Sequence, residues 1–104
     1  MLEAIFAPQS VAIVGASPDP TKLGHRVLRN VADNGFPGRI IPIHPTASHV
    51  LNFPAYPSIA AVPEPIDLAV IVVPAAAVLA VADECGKKGV RGLVVISAGF
   101  KEVG

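Results

Sequence analysis

The sequence predicts an α/β fold with a mainly parallel sheet wound on both faces and ending after its fourth strand. Three observations predict it. Short β-branched apolar runs recur along the chain and each stops at a turn residue. Stretches with helical spacing of apolar residues lie between them. The glycine pair Gly35 and Gly38 is echoed at an equal offset by Gly89 and Gly92, each joining a helix end to a strand. Two strand–helix–strand units in succession are the seed of a doubly wound sheet.

The elements follow in order. Ser10-Val11-Ala12-Ile13-Val14 reads as a strand buried on both faces and ended by Gly15. A polar loop holding Pro18 and Pro20 leads to a helix from Leu23 or Gly24 to Asn34. Val27, Leu28, Val31 and Ala32 form its inner face, and Gly35 suits its C′ position. Arg39–Ile43 is the second strand. Pro42 cannot donate to a ladder, so this strand lies near an edge or is bulged. Residues 44–65 are rich in Pro, Ser and Asn, with one helical turn expected near Ser58–Val62. Ile66–Val73 is the third strand, closed by Pro74. A helix from Ala75 to about Lys87 follows, and Gly92–Ile96 is the fourth strand. Only Phe100–Gly104 remains beyond Gly99, which predicts a fragment of a longer polypeptide or a truncated paralogue.

Composition excludes several functions. The 104 residues suit one domain, 1–104, and are 52% hydrophobic and 15% charged, which excludes intrinsic disorder. Eight basic residues balance eight acidic ones, and there is no Trp, so a nucleic-acid binder is not expected. One cysteine and three scattered histidines predict neither disulfides nor a metal site. The apolar run Leu68–Ala82 is too short for a membrane helix and is broken by Pro74, so it reads as a buried strand and a helix with a buried face. The start lacks the basic region and long apolar core of a signal peptide, so a cytoplasmic location is expected.

Parallel strands place the loops at Gly15, His44, Pro74 and Ser97 on one edge, where such sheets bind ligands. Gly15-Ala16-Ser17 ends the first strand and Gly24 opens a helix, which brings backbone N–H groups and a helix N-terminus to one point. Lys22 adds a cation. The spacing is not the G-x-G-x-x-G of dinucleotide folds, so an ordinary strand–helix turn remains the plain alternative. No acidic residue occurs between Asp33 and Glu64, which disfavours NAD. No P-loop and no G-x-S-x-G is present. His44 lacks an adjacent carboxylate to orient it as a base, and Cys85 lies on the apolar stripe of its helix as a structural thiol. No catalytic set is visible.

The segments Ile5–Ser17, Lys22-Leu23-Gly24, Tyr56-Pro57-Ser58, Asp67–Ala75 and Val95–Glu102, taken together and in order, span nearly the whole chain. On them the chain resembles the N-terminal CoA-binding domain of ADP-forming acyl-CoA (acetyl-CoA) synthetases, relatives of the succinyl-CoA synthetase α subunit. The same domain occurs fused to protein acetyltransferases. The resemblance implies a Rossmann-like fold and coenzyme A as ligand. Gly15, Ala16, Ser17, Thr21, Lys22, Leu23 and Gly24 would surround its phosphates, beside His44 and Pro45. The Val73-Pro74-Ala75 and Ile96-Ser97-Ala98 turns would line the rest of the groove.

In the full synthetases a phosphorylated histidine and an ATP-grasp unit lie in further domains or a separate subunit. The resemblance therefore implies binding of CoA or an acyl-CoA, no metal, and no complete reaction by this chain alone. A homo-oligomer is compatible with it. The family commonly reads Asn-Pro-Lys where this chain has His44-Pro45-Thr46, which predicts one phosphate contact fewer. Histidine is mostly neutral at pH 7 and replaces little of that charge. The alternatives are a non-catalytic Rossmann-like module sensing a nucleotide or acyl-CoA, and an incomplete subunit that needs a partner chain.

Overall fold

The computed structural model describes residues 7–96. Four parallel strands form the sheet: β1 (Ser10–Val14), β2 (Arg39–Ile43), β5 (Leu68–Ile71) and β6 (Gly92–Val95), in the spatial order β2-β1-β5-β6. Helix α1 (Leu23–Asp33) joins β1 to β2, and α2 (Val78–Lys88) joins β5 to β6. Between them, β3 (His49–Val50) and β4 (Phe53–Pro54) form a small antiparallel hairpin.

Strands β1, β2 and β5 are covered on both faces, as the apolar runs predict, whereas Leu93, Val94 and Val95 of β6 are exposed. Every residue of β1 is buried. On one face Val11, Ile13, Ile40, Val70 and Val72 pack with Leu28 of α1. On the other, Ala12, Ile41, Ala69 and Ile71 pack with Cys85 of α2 and with Ile59, Val62 and Ile66. Pro42 lies in an edge strand, as expected. Its carbonyl accepts from the Tyr56 N–H at 3.1 Å on the outer side, so the donor it lacks is missing from the free edge and not from the β1 ladder.

Helix α1 ends as its sequence foretells. Gly35, at φ 76°, is the C′ residue, and the Gly35 and Phe36 N–H groups return to the carbonyls of Ala32 and Val31. The expected turn near Ser58–Val62 is present as two successive i→i+3 hydrogen bonds, Ala61 N–H to Ser58 and Val62 N–H to Ile59.

Two elements depart from expectation. The third central strand is Leu68–Ile71, shorter than the apolar run Ile66–Val73, because its pairing with β1 and β6 ends where the loops diverge. The predicted helix from Ala75 starts as a 3-10 turn, Ala75–Ala77, and becomes α-helical at Val78. Its face is also less buried than expected. Cys85 is the one buried residue of α2, and Leu79 is 83% exposed. The helix docks through its C-terminal half, where Glu84 accepts from the Ile59 N–H at 3.1 Å and Lys88 donates to the Val62 carbonyl.

Candidate functional site

From β1 the chain passes to β2 on one side, and from β5 to β6 on the other, so the direction of winding reverses between β1 and β5. A crevice opens at the carboxyl ends of strands at such a reversal. Here it is a groove of about 560 Å³ lined by Gly15, Ala16, Ser17, Lys22, Leu23, Gly24, His44, Pro45, Val72, Val73 and Pro74. Ten of these eleven are positions that the resemblance implies for the ligand; Val72 is the addition. A groove of similar size, about 550 Å³, lies at the amino ends of β1 and β2. Among the described residues Gln9 supplies its one polar side chain and no charged group lines it, so they offer no cation for an anion.

Two glycines let the backbone close around the groove. Gly15 has φ 95°, and a Cβ there would fall 1.9 Å from the Val72 carbonyl oxygen. Gly24 lets α1 start directly against β1, since its Cβ would fall 1.8 Å from the Gly15 carbonyl oxygen. The helix N-terminus is thereby delivered to the groove floor. Its N-cap, Lys22, makes no side-chain cap, and the first turn has no acidic residue. Among the described residues no acceptor pairs with the Leu23 or Gly24 N–H. Both groups lie at the positive end of the helix dipole. The exposed Lys22 is the charged side chain of the lining.

The loop from Ser17 to Lys22 is tied internally. The Ser17 hydroxyl accepts from the Asp19 N–H at 3.0 Å. Asp19 Oδ1 accepts from the Thr21 N–H at 2.9 Å and hydroxyl at 2.8 Å. These two bonds, the backbone one first, hold the Asp19 carboxyl below its usual value. The Lys22 N–H returns to the Asp19 carbonyl at 3.0 Å. Thr21 thus turns its hydroxyl to Asp19, and it does not line the groove.

His44 is held in one orientation. Its Nδ1 accepts from the Thr46 N–H at 3.1 Å and the Ala47 N–H at 2.9 Å. A proton on Nδ1 would face two donors, so this nitrogen serves the turn as an acceptor. The other sequence-derived positions are less central. Ala75 opens the 3-10 turn after Pro74, and Ile96 follows β6 with its N–H on the Ile71 carbonyl at 2.8 Å. Neither lines the groove. Ser97 and Ala98 lie outside the described residues.

His25 escaped the sequence reading. It is 4% exposed, with Nδ1 2.9 Å from the Ser17 carbonyl. Its place in the helix was legible, but its partner is a loop carbonyl eight residues away that no spacing rule reveals. Among the described residues no group of three His, Cys, Asp or Glu side chains can hold a metal ion, and no helix is long and apolar enough to cross a membrane.

A reversal-point groove that offers free helix N–H groups and a lysine, and no carboxylate among the described residues, defines the class: a Rossmann-like α/β domain with a groove suited to an anionic ligand. The particular family is settled by comparison. The chain belongs to the CoA binding domain family, which matches residues 9–102. It is 48% identical over 103 residues to the acetate–CoA ligase [ADP-forming] of Methanocaldococcus jannaschii, covering 99% of this chain and 14% of that protein. It is 42% identical over 107 residues to the acetate–CoA ligase [ADP-forming] I subunit alpha of Pyrococcus furiosus, covering 99% of this chain and 23% of that one. The acetyl-coenzyme A synthetase 1 of Ca. Korarchaeum cryptofilum, solved with phosphate and ADP, superposes with a TM-score of 0.92 at 50% identity, covering all of this chain and 22% of that one. The chain therefore spans less than a quarter of these three proteins. It is a CoA-binding domain homologous to that of the ADP-forming acetyl-CoA synthetases.

Proposed function

We propose that the chain binds coenzyme A or an acyl-CoA in the groove at the carboxyl ends of β1, β2 and β5. In this reading it is the CoA-binding domain, residues 1–104, of an ADP-forming acyl-CoA synthetase or of an acetyltransferase-fused relative. The full enzyme interconverts acyl-CoA, ADP and phosphate with acid, CoA and ATP. One observation carries the reading. Among the described residues, the unpaired Leu23 and Gly24 N–H groups and Lys22 line a groove without a carboxylate. That is a seat for the CoA phosphates. Pro45, Val73 and Pro74 give the apolar wall for the rest of the ligand, which would reach Ala75 and Ile96 only beyond the groove itself.

The same residues disfavour NAD. The end of β2, where an acid would hold the ribose hydroxyls, carries His44 and Pro45. Among the described residues the groove has no nucleophile–base pair, which favours placing the chemistry in further domains or in a partner subunit carrying the ATP-grasp function. A relative named as an alpha subunit supports that arrangement. A cytoplasmic location goes with it, where CoA and ATP are both at hand.

Calorimetric titration tests the reading. Saturable heat with CoA and none with NAD at equal concentration is expected. NAD binding without CoA binding overturns it. No acetyl-CoA is expected from acetate, ATP and CoA with this chain alone, and turnover would refute the division of labour.

A further inference from the structure

His25 is a buried polar side chain in the first turn of α1, and the groove lining does not include it. Its Nε2 stands 3.0 Å from Arg29 Nη2 and 3.3 Å from Arg29 Nε. A guanidinium has only donors, so Nε2 must accept. The ring proton is then on Nδ1, where it is donated to the Ser17 carbonyl at 2.9 Å. Arg29 sits one helical turn beyond His25, where side chains of one face meet. Arg29 and the Ser17 carbonyl thus favour the same tautomer, with the arginine holding the proton off Nε2 and the carbonyl receiving it from Nδ1.

The bond closes a circuit. From Ser17 the hydrogen bonds run through Asp19 to Thr21 and Lys22. The Lys22 carbonyl accepts from the His25 N–H at 3.2 Å. The His25 ring then returns to Ser17. The segment inside this circuit carries Lys22 and leads directly into the free N–H groups of Leu23 and Gly24.

We propose that His25, with its tautomer favoured by Arg29 and the Ser17 carbonyl, is a positioning residue for the CoA groove: it fixes the Ser17–Lys22 loop before the ligand arrives. The proposal rests on the CoA reading of the groove. A loop ordered in advance spares the ligand the cost of ordering it, so the effect falls on affinity.

The test uses the whole chain and four variants, His25→Leu, His25→Asn, His25→Gln and Arg29→Met. An asparagine amide nitrogen stands about where Nδ1 stands, and a glutamine one about where Nε2 stands. The expected loss of CoA affinity for His25→Leu is about tenfold, with faster amide exchange in residues 17–22. His25→Asn regains most of the affinity and His25→Gln does not. Nitrogen-15 spectra of the native imidazole show the proton on Nδ1, and Arg29→Met gives mixed tautomers.

A proton on Nε2 in the native protein overturns the proposal. So does equal CoA binding by the Asn and Gln variants, or loop exchange unchanged in His25→Leu. If His25→Leu does not fold, the Asn–Gln contrast and the exposed Arg29→Met position decide. If the native chain binds no CoA, the reading of the groove fails, and the spectra and loop exchange still decide whether His25 holds the loop.

Discussion

The carbonyl oxygen of Gly15 occupies the space a side chain on Gly24 would need: an ideal Cβ there lies 1.8 Å from it. Strand β1 and helix α1 therefore meet backbone to backbone, and the groove depends on that contact. Gly24→Ala forces the two backbones apart. Overpacking of this kind costs roughly 1–3 kcal/mol, and more where backbone must move. The variant is expected to melt earlier in urea and to lose CoA affinity together. Gly86→Ala is the control, since a Cβ there meets nothing within 4 Å on an exposed helical site. It should gain about 0.5–1 kcal/mol. Equal stability of Gly24→Ala and the native chain would refute the close contact.

Lys22 separates ligand binding from folding. Its backbone carbonyl serves the helix start, and its side chain is exposed, so Lys22→Ala keeps the loop bonds. A hydrogen bond to a charged group contributes about 1.5–3 kcal/mol, less under solvent screening. CoA affinity should fall roughly tenfold, which corresponds to ~1.4 kcal/mol, with little change in Tm. Thr46→Lys adds a cation beside His44 and should tighten binding with steeper salt dependence. An unchanged affinity with a Tm many degrees lower would make Lys22 structural.

Much of this arrangement was legible in the sequence, and the reasons differ by element. Strand β1 announced itself because a run buried on both faces is apolar throughout and stops at a glycine. Pro42 limited β2 to an edge or a bulge, and β2 is an edge strand. Lys22, Gly24 and His44 were found because parallel strands bring their carboxyl ends together. The hairpin was not legible. Its strands, His49–Val50 and Phe53–Pro54, are two residues each, too short to show alternation. Its turn places Leu51 at φ 50° and Asn52 at φ 70°, and leucine is no signal for such a turn. His25 drew no reading from the sequence, since its burial and its partner come from a loop outside its helix.

His44 tests whether a histidine can do the work of an asparagine. Its Nδ1 takes the Thr46 and Ala47 N–H groups, as an asparagine oxygen does in a turn of this kind. His44→Asn should leave Tm nearly unchanged. His44→Ala leaves both donors without their acceptor and should cost about 1–2 kcal/mol in chemical denaturation. If Ala and Asn are equally tolerated, the bonds to Nδ1 contribute nothing to the turn.

Cys85 ties α2 to the sheet. It is 1% exposed within the apolar cluster of Ile59, Val62 and Ile71. Burial first, and the Glu84 charge second, push its thiol above the usual value. The thiol therefore stays protonated in the folded chain at pH 8, and a thiolate-directed disulfide reagent should react only after denaturant is added. The sign of the pH effect follows. An unfolded chain releases this proton above the ordinary thiol pKa of ~8.5, while the folded chain retains it. The contribution of the buried thiol is thus fully present below that pH and is lost as pH rises past it. Cys85→Ser puts a hydroxyl into the same cluster and should destabilise by roughly 1–3 kcal/mol. The Cys85→Ser variant should also lose the part of the alkaline decline in stability that the native chain owes to its thiol. Rapid labelling of the folded protein at pH 8, at the rate seen in denaturant, would show that α2 does not seal the thiol against the sheet.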